Sequence, residues 1–248
     1  SLQMTLGATL DAEGIEKMGS EIGLQCRRLG VHVNFAPVVD INNNPKNPVI
    51  HMRSFGEDKK QVSHLGTAYI KGLQKERVLA VAKHFPGHGD TDKDSHKSLP
   101  GIPYNLERLE NLEFFPFREL IKNGVGGIMA AHLNIPALDN TENRATSMSP
   151  AVINDMLKGS WNYKGLVFSD ALNMKGVADY YEPGELELQA LKAGNDILLF
   201  PTSIPAATKR IKKALNSGEI SESYLNEKVR KILQVKYWCG LAQLKPIV

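Results

Sequence analysis

Apolar positions along the chain recur with two different spacings. From Asp11 to Leu29 they return every three or four residues, at Ile15, Met18, Ile22, Cys26 and Leu29, the period of a helix with one buried face. Asp11 is placed to cap that helix and Gly30 to stop it. The second pattern is the short continuous apolar run, found at 31–36, 78–83, 127–132, 166–170 and 196–200. Runs of this kind fit strands covered on both faces, as in a parallel sheet flanked by helices. Helices are predicted over 59–75, 112–122, 205–216 and 221–237, and Ser149-Pro150 opens a short one with serine as cap and proline in its first turn. The alternation predicts an α/β fold with a parallel sheet. No internal repeat or low-complexity linker interrupts it, so residues 1–248 are expected to form one domain. Five strands fall short of the eight that close a (β/α)8 barrel. Either the sheet is open, or about three units lie upstream of Ser1.

Composition narrows the function classes. With 42% hydrophobic and 23% charged residues the chain is an ordinary globular one, and no apolar stretch approaches the ~20 residues needed to span a bilayer. Thirty Lys and Arg against 27 Asp and Glu leave a net charge of +3 without a basic block, so nucleic acid is not an expected partner. The two cysteines, Cys26 and Cys239, have neither disulfide-framework nor metal spacing, and Cys26, on the apolar stripe, is expected to be a buried thiol. The amino terminus lacks the features of a signal peptide, and it lacks an initiator Met, which points to a piece of a longer chain.

Polar residues gather just beyond the predicted strands: Asp40 after the first, His84 to His96 after the second, His132 after the third, Ser169 and Asp170 at the fourth. In parallel α/β folds the loops at that end build the site. The densest stretch, Lys83 to Pro100, carries His84, His88 and His96 with Asp90, Asp92 and Asp94, and its prolines and glycines exclude a regular helix. The two-residue spacing of Asp94 and His96 lets an extended backbone point both side chains the same way, and a carboxylate on an imidazole N–H makes a proton carrier. A solvated Asp and His are the equal alternative on spacing alone. A metal site is disfavoured, because Pro86 and Gly87 interrupt the helix that His-x-x-x-His needs, and no cofactor is expected. Asp170 ends a strand, where a carboxylate serves as nucleophile or base, or as the cap of a following helix. Ser169 sits in no Gly-x-Ser-x-Gly elbow. Arg53 lies in a loop too long for a mere connection, and with Lys83 and His84 it is placed to hydrogen-bond a polyol, although each alone reads equally as a solvated charge. Tyr180, Tyr181 and Trp161 are candidates for sugar stacking or for core.

Together these segments resemble glycoside hydrolase family 3, in its β-N-acetylglucosaminidase branch. The resemblance runs through Leu6-Gly7-Ala8-Thr9, the segment from Asn34 to Asn42, Arg53-Ser54-Phe55-Gly56-Glu57, the Lys83 to Pro100 stretch, Gly127 to His132 and Phe168 to Met174. Its most specific part is Lys83-His84-Phe85-Pro86-Gly87-His88-Gly89 with Asp94-Ser95-His96 downstream. It implies a (β/α)8 TIM-type barrel, here with about five of eight βα units, and a bacterial exo-acting retaining enzyme on terminal β-linked GlcNAc of muropeptide or chitooligosaccharide type. It also implies Asp170 as nucleophile, His96 as acid/base with Asp94 as its partner, and Arg53, Lys83 and His84 as sugar-binding residues. The family's amino-terminal units, which contribute a sugar-binding Asp and Arg, have no counterpart, so an amino-terminally truncated catalytic barrel is expected, with further domains of a longer chain as partners. A family 3 β-glucosidase, a phosphate-accepting glycosidase and an inactive barrel fragment serving as scaffold are the alternatives. Localisation stays open between bacterial cytoplasm and periplasm.

Overall fold

The computed structural model describes residues 2–92 and 99–242. Strands β1 (Val33–Asn34), β2 (Leu79–Phe85), β3 (Gly127–Ala130), β4 (Leu166–Ala171) and β5 (Ile197–Leu199) pair parallel, each with its neighbour in the chain. Parallel neighbours need a crossover each time, and the right-handed twist of strands curls such a succession. The five strands form half of a barrel, the expected α/β architecture.

The helices are α1 (Gln3–Thr9), α2 (Ala12–Arg28), α3 (Lys59–Lys75), α4 (Leu106–Asn111), α5 (Phe114–Lys122), α6 (Lys175–Ala178), α7 (Glu185–Ala193), α8 (Ile204–Asn216) and α9 (Glu222–Trp238), with a π-helix at Ala151–Ser160. Several starts set by side-chain caps match expectation. Asp11 accepts from Gly14 N–H at 2.9 Å, Asp58 from Gln61 N–H at 2.8 Å and Ser221 from Tyr224 N–H at 3.1 Å. Ser149 accepts from Val152 N–H at 3.3 Å, and its hydroxyl donates to Asp139 at 2.6 Å. Three features differ from the sequence reading. Helices α1, α4, α6 and α7 are not predicted by the apolar spacing, and the helix expected over 112–122 is α5 alone, with Pro116 in its first turn. β1 is only two residues long, because Pro37 has no N–H to donate, yet pairing resumes beyond it: Lys83 N–H donates to Pro37 O and Val39 N–H to Lys83 O. Cys26 is half-buried, and Cys239 is the buried thiol. The last turn of α2 projects past the end of α3, leaving Leu29 80% exposed and Cys26 only partly covered.

Alternation along the strands makes two cores. Ala80, Ala82, Ile128 and Val167 face outward onto Ile70, Leu73 and Phe117 of the helical layer. Leu79, Val81, Met129 and Phe168 face inward, where Ile232, Val235 and Trp238 of α9 pack against them. Helix α9 runs across the amino-terminal ends of the strands: Lys231 Nζ donates to Gly165 O at 2.7 Å, Lys228 Nζ to Asn195 O at 2.9 Å, and Arg77 to Trp238 O at 3.2 Å. The buried Asp196 carboxylate anchors it, pairing with Lys158 at 2.9 Å and Lys231 at 2.8 Å and accepting from Val167 N–H. The amino ends of the strands are thereby occupied, and the carboxyl ends carry the polar chemistry.

Two stability predictions follow from this packing. Helices α2 and α3 cross with backbones in contact: a Cβ on Gly72 would lie 2.1 Å from Glu16 O and 2.7 Å from Ser20 N. Backbone cannot yield as a side chain does, so Gly72→Ala should destabilise the fold by about 1–3 kcal/mol in urea unfolding, and an unchanged midpoint would refute the close crossing. Burial and the neighbouring Lys158 push Lys228 from the ordinary 10.5 to about 8, against the pull of Asp196. Between those pH values the unfolded chain binds more protons than the folded one, so this group contributes rising stability as pH increases from about 8 to 10.5. The difference in unfolding free energy between the native chain and Lys228→Met should move in the native chain's favour across that window. A flat difference would contradict the depressed value.

Candidate active site

The site grows from strand ends. Asp40 follows β1; Lys83 and His84 lie in the last turn of backbone of β2; Asp170 is the penultimate residue of β4; Phe200 follows β5. Arg53 arrives from the long loop after β1, in a single 3-10 turn, His51–Arg53. Asn47 shapes that loop: its Oδ1 accepts from Val49 and Ile50 N–H, and its Nδ2 donates to His88 O and Gly89 O at 2.8 and 3.0 Å. Gly89 is required at this junction, since a Cβ there would sit 1.7 Å from Ile41 O. The β1 and β2 loops are therefore locked to one another by backbone contact.

Arg53, Lys83, His84 and Asp170 surround one cavity of about 200 Å³, whose apolar side includes Phe35, Met129 and Phe200. Asp170 accepts from Ala171 N–H at 2.8 Å. Burial alone would raise its carboxyl, but the neighbouring His132 and His84 imidazoles, the Ala171 N–H and the Lys83 ammonium hold it below the usual carboxylate range. It is an ionised carboxylate at neutral pH. Burial and the adjacent Arg53 push the Lys83 ammonium down, opposed by Asp170 and Asp40. His88, behind His84 with ring centroids 5.8 Å apart, is pushed to about 4 by burial and by His84, and its Nδ1 lies 2.8 Å from Thr91 Oγ1. His132, fully buried, donates from Nε2 to Ala171 O at 3.0 Å and meets Ser147 Oγ through Nδ1 at 2.6 Å, so it backs the peptide that follows Asp170. Ser169 is turned away, accepting from Leu199 N–H at 3.0 Å.

Four of the six residues expected from sequence thus meet around one cavity. The other two, Asp94 and His96, lie outside the described residues. The root of their loop is braced by Asp90, which pairs with Arg108 at 3.2 Å and accepts from Asn43 Nδ2 at 3.0 Å, while Arg108 also pairs with Glu113 at 2.9 Å. Among the described residues no three His, Cys, Asp or Glu side chains group as a metal site. Trp161 belongs to the core, edge-on to Phe85 and Phe114. Neither Tyr180 nor Tyr181 lines the cavity; its aromatic residues are Phe35 and Phe200, the latter 68% exposed on the rim and not marked out by the sequence reading. Its only signal was its place between an apolar run and Pro201.

The profile of the Glycosyl hydrolase family 3 N terminal domain matches residues 2–235. The chain belongs to that family. It is 36% identical to beta-hexosaminidase A of Pseudoalteromonas piscicida over 94% of its own length and 43% of that protein's. It is 35% identical to beta-hexosaminidase LpqI of Mycobacterium tuberculosis over 93% of its own length and 61% of that protein's. The chain therefore spans about half the length of these relatives. It superposes with a TM-score of 0.94 and 40% identity on a glycoside hydrolase family 3 beta-N-acetylglucosaminidase from Paenibacillus sp., over 99% of this chain and 47% of that one. No helix among the described residues is long and apolar enough to cross a membrane.

His132 supplies a testable link between this scaffold and the carboxylate. His132→Gln keeps a donor for Ala171 O but removes the imidazole's positive influence, so Asp170 should titrate at higher pH than in the native chain. Side-chain carbon NMR would follow it, and an unmoved titration would dissociate His132 from Asp170.

Proposed function

We propose that this chain is the nucleophile-bearing part of a retaining exo-β-N-acetylglucosaminidase that removes terminal β-linked GlcNAc from muropeptides or chitooligosaccharides. The observation that carries this reading is an ionised, half-buried Asp170 sharing a cavity of about 200 Å³ with Arg53, Lys83 and His84. That volume suits one terminal sugar, and the donors suit its hydroxyls. In the retaining scheme Asp170 attacks the anomeric carbon and the bond to the departing oxygen breaks. His96 gives that oxygen its proton, Asp94 holding the ring; the imidazole then takes a proton from water as the water attacks the same carbon, releasing the sugar and freeing Asp170. An imidazole, with an ordinary pKa of ~6.5, is suited to both halves of that exchange near neutral pH. Arg53, Lys83 and His84 hold the sugar in place. Residues 1–248 act here as one catalytic unit of a (β/α)8-type barrel.

A phosphate-accepting reading has its own support, since a beta-glucoside phosphorylase superposes with a TM-score of 0.94 at 26% identity. Comparing β-glucoside with β-GlcNAc substrates, with and without phosphate, separates the two. Asp170→Asn should lower p-nitrophenol release from the β-GlcNAc glycoside by about 10³-fold or more, and His96→Ala by on the order of 10²–10⁴-fold. Undiminished turnover by Asp170→Asn would remove the nucleophile.

A further inference from the structure

Asp40 is 1% exposed and does not line the cavity, yet its carboxylate collects three N–H groups. One oxygen accepts from His88 N–H at 2.7 Å; His84 N–H reaches both oxygens at 3.1 and 3.2 Å; the other oxygen lies 2.7 Å from His84 Nδ1. On the far side of the same ring, His84 Nε2 stands 3.3 Å from Nη2 of Arg53, whose Nη1 donates to Val49 O at 3.1 Å. A guanidinium can only donate. A proton on Nε2 would therefore set two donors against each other. A carboxylate, conversely, can only accept, and its contact with Nδ1 requires the proton to be there. Both neighbours impose the same tautomer: Nδ1–H toward Asp40, a lone pair on Nε2 toward Arg53.

We propose that Asp40 is a positioning residue: by fixing His84 as the Nδ1–H tautomer it aims Arg53 and leaves an acceptor beside that cationic donor on the cavity wall. An acceptor beside a donor is the pattern that a hydroxyl satisfies, since it donates to the ring nitrogen and accepts from the guanidinium. A carboxylate or carbonyl of a ligand, having no proton to give, makes no use of Nε2. The assignment of that hydroxyl to a sugar rests on the glycosidase reading above; the tautomer does not. Asp40 acts at a distance, through the ring, and touches no substrate.

The direct test is the long-range proton–nitrogen NMR spectrum of the His84 ring in the native chain at about pH 8, where free imidazole is neutral. A protonated Nδ1 and an unprotonated Nε2 are expected. The opposite tautomer, or protons on both nitrogens, overturns the proposal. Asp40→Asn then removes one acceptor of nearly the same shape: one carboxamide oxygen faces three N–H groups, and the ring is the one that can move its proton. The His84 resonances should switch to the Nε2–H pattern, and KM for the β-GlcNAc glycoside should rise roughly tenfold, as in Arg53→Ala. Because both changes act on the same guanidinium, the double variant should be little worse than the worse single one; multiplicative losses would mean that Asp40 is merely structural. If Asp40→Asn fails to fold, the native spectrum still decides. A native chain that cleaves no glycoside counts against the proposed substrate, while the spectrum judges Asp40 separately.

Discussion

Parallel pairing in chain order is the constraint on which this molecule depends. It obliges every connection to cross back outside the sheet, and so brings every strand's carboxyl end to the same side. Five strands of two to seven residues then suffice to gather groups from positions 40, 53, 83, 84 and 170. The opposite ends are filled by α9, whose Ile232, Val235 and Trp238 supply inward-facing packing that strands alone do not provide. The Asp196–lysine cluster holds that helix while keeping its own charges away from the cavity.

Within the rim, a buried carboxylate and a half-buried one have been given opposite conditions. Both are kept ionised against the penalty of burial. Asp40 is saturated with N–H donors from His84 and His88, so its charge is spent on holding loops together. Asp170 borders the cavity and accepts from the N–H of its own successor, so its charge faces whatever enters. The difference arises from strand position alone. Asp40 sits where the β1 and β2 loops close over it, and Asp170 sits where β4 meets open space.

Legibility in the sequence followed the range of the interactions. Helices whose caps are side chains three residues from their partners, such as Asp11 and Asp58, could be bounded closely. Helix α7 could not: its cap is Gly184, with no side chain, and its Glu187 turns inward to bond Gly184 N–H and Thr202, which disrupts the apolar pattern. The rim residues were visible because each follows an apolar run. What Asp40 does was invisible, because its partners lie 44 and 48 residues away and two of its three donors are backbone N–H groups, which leave no trace in residue type. Spacing left Asp94 and His96 evenly balanced between a proton carrier and a solvated pair, the family resemblance assigned their roles, and both lie outside the described residues. The aromatic at the rim was missed because Phe200 looked like the end of a buried strand.

The outermost strands carry a consequence for how this molecule behaves in a crowded solution. β1 has two residues and β5 three, each followed closely by a proline, Pro37 and Pro201. A foreign strand seeking an edge to extend would find only two or three peptide units in register before reaching a residue that cannot donate. An exposed strand edge is ordinarily a template for self-association. Here the template is too short to copy.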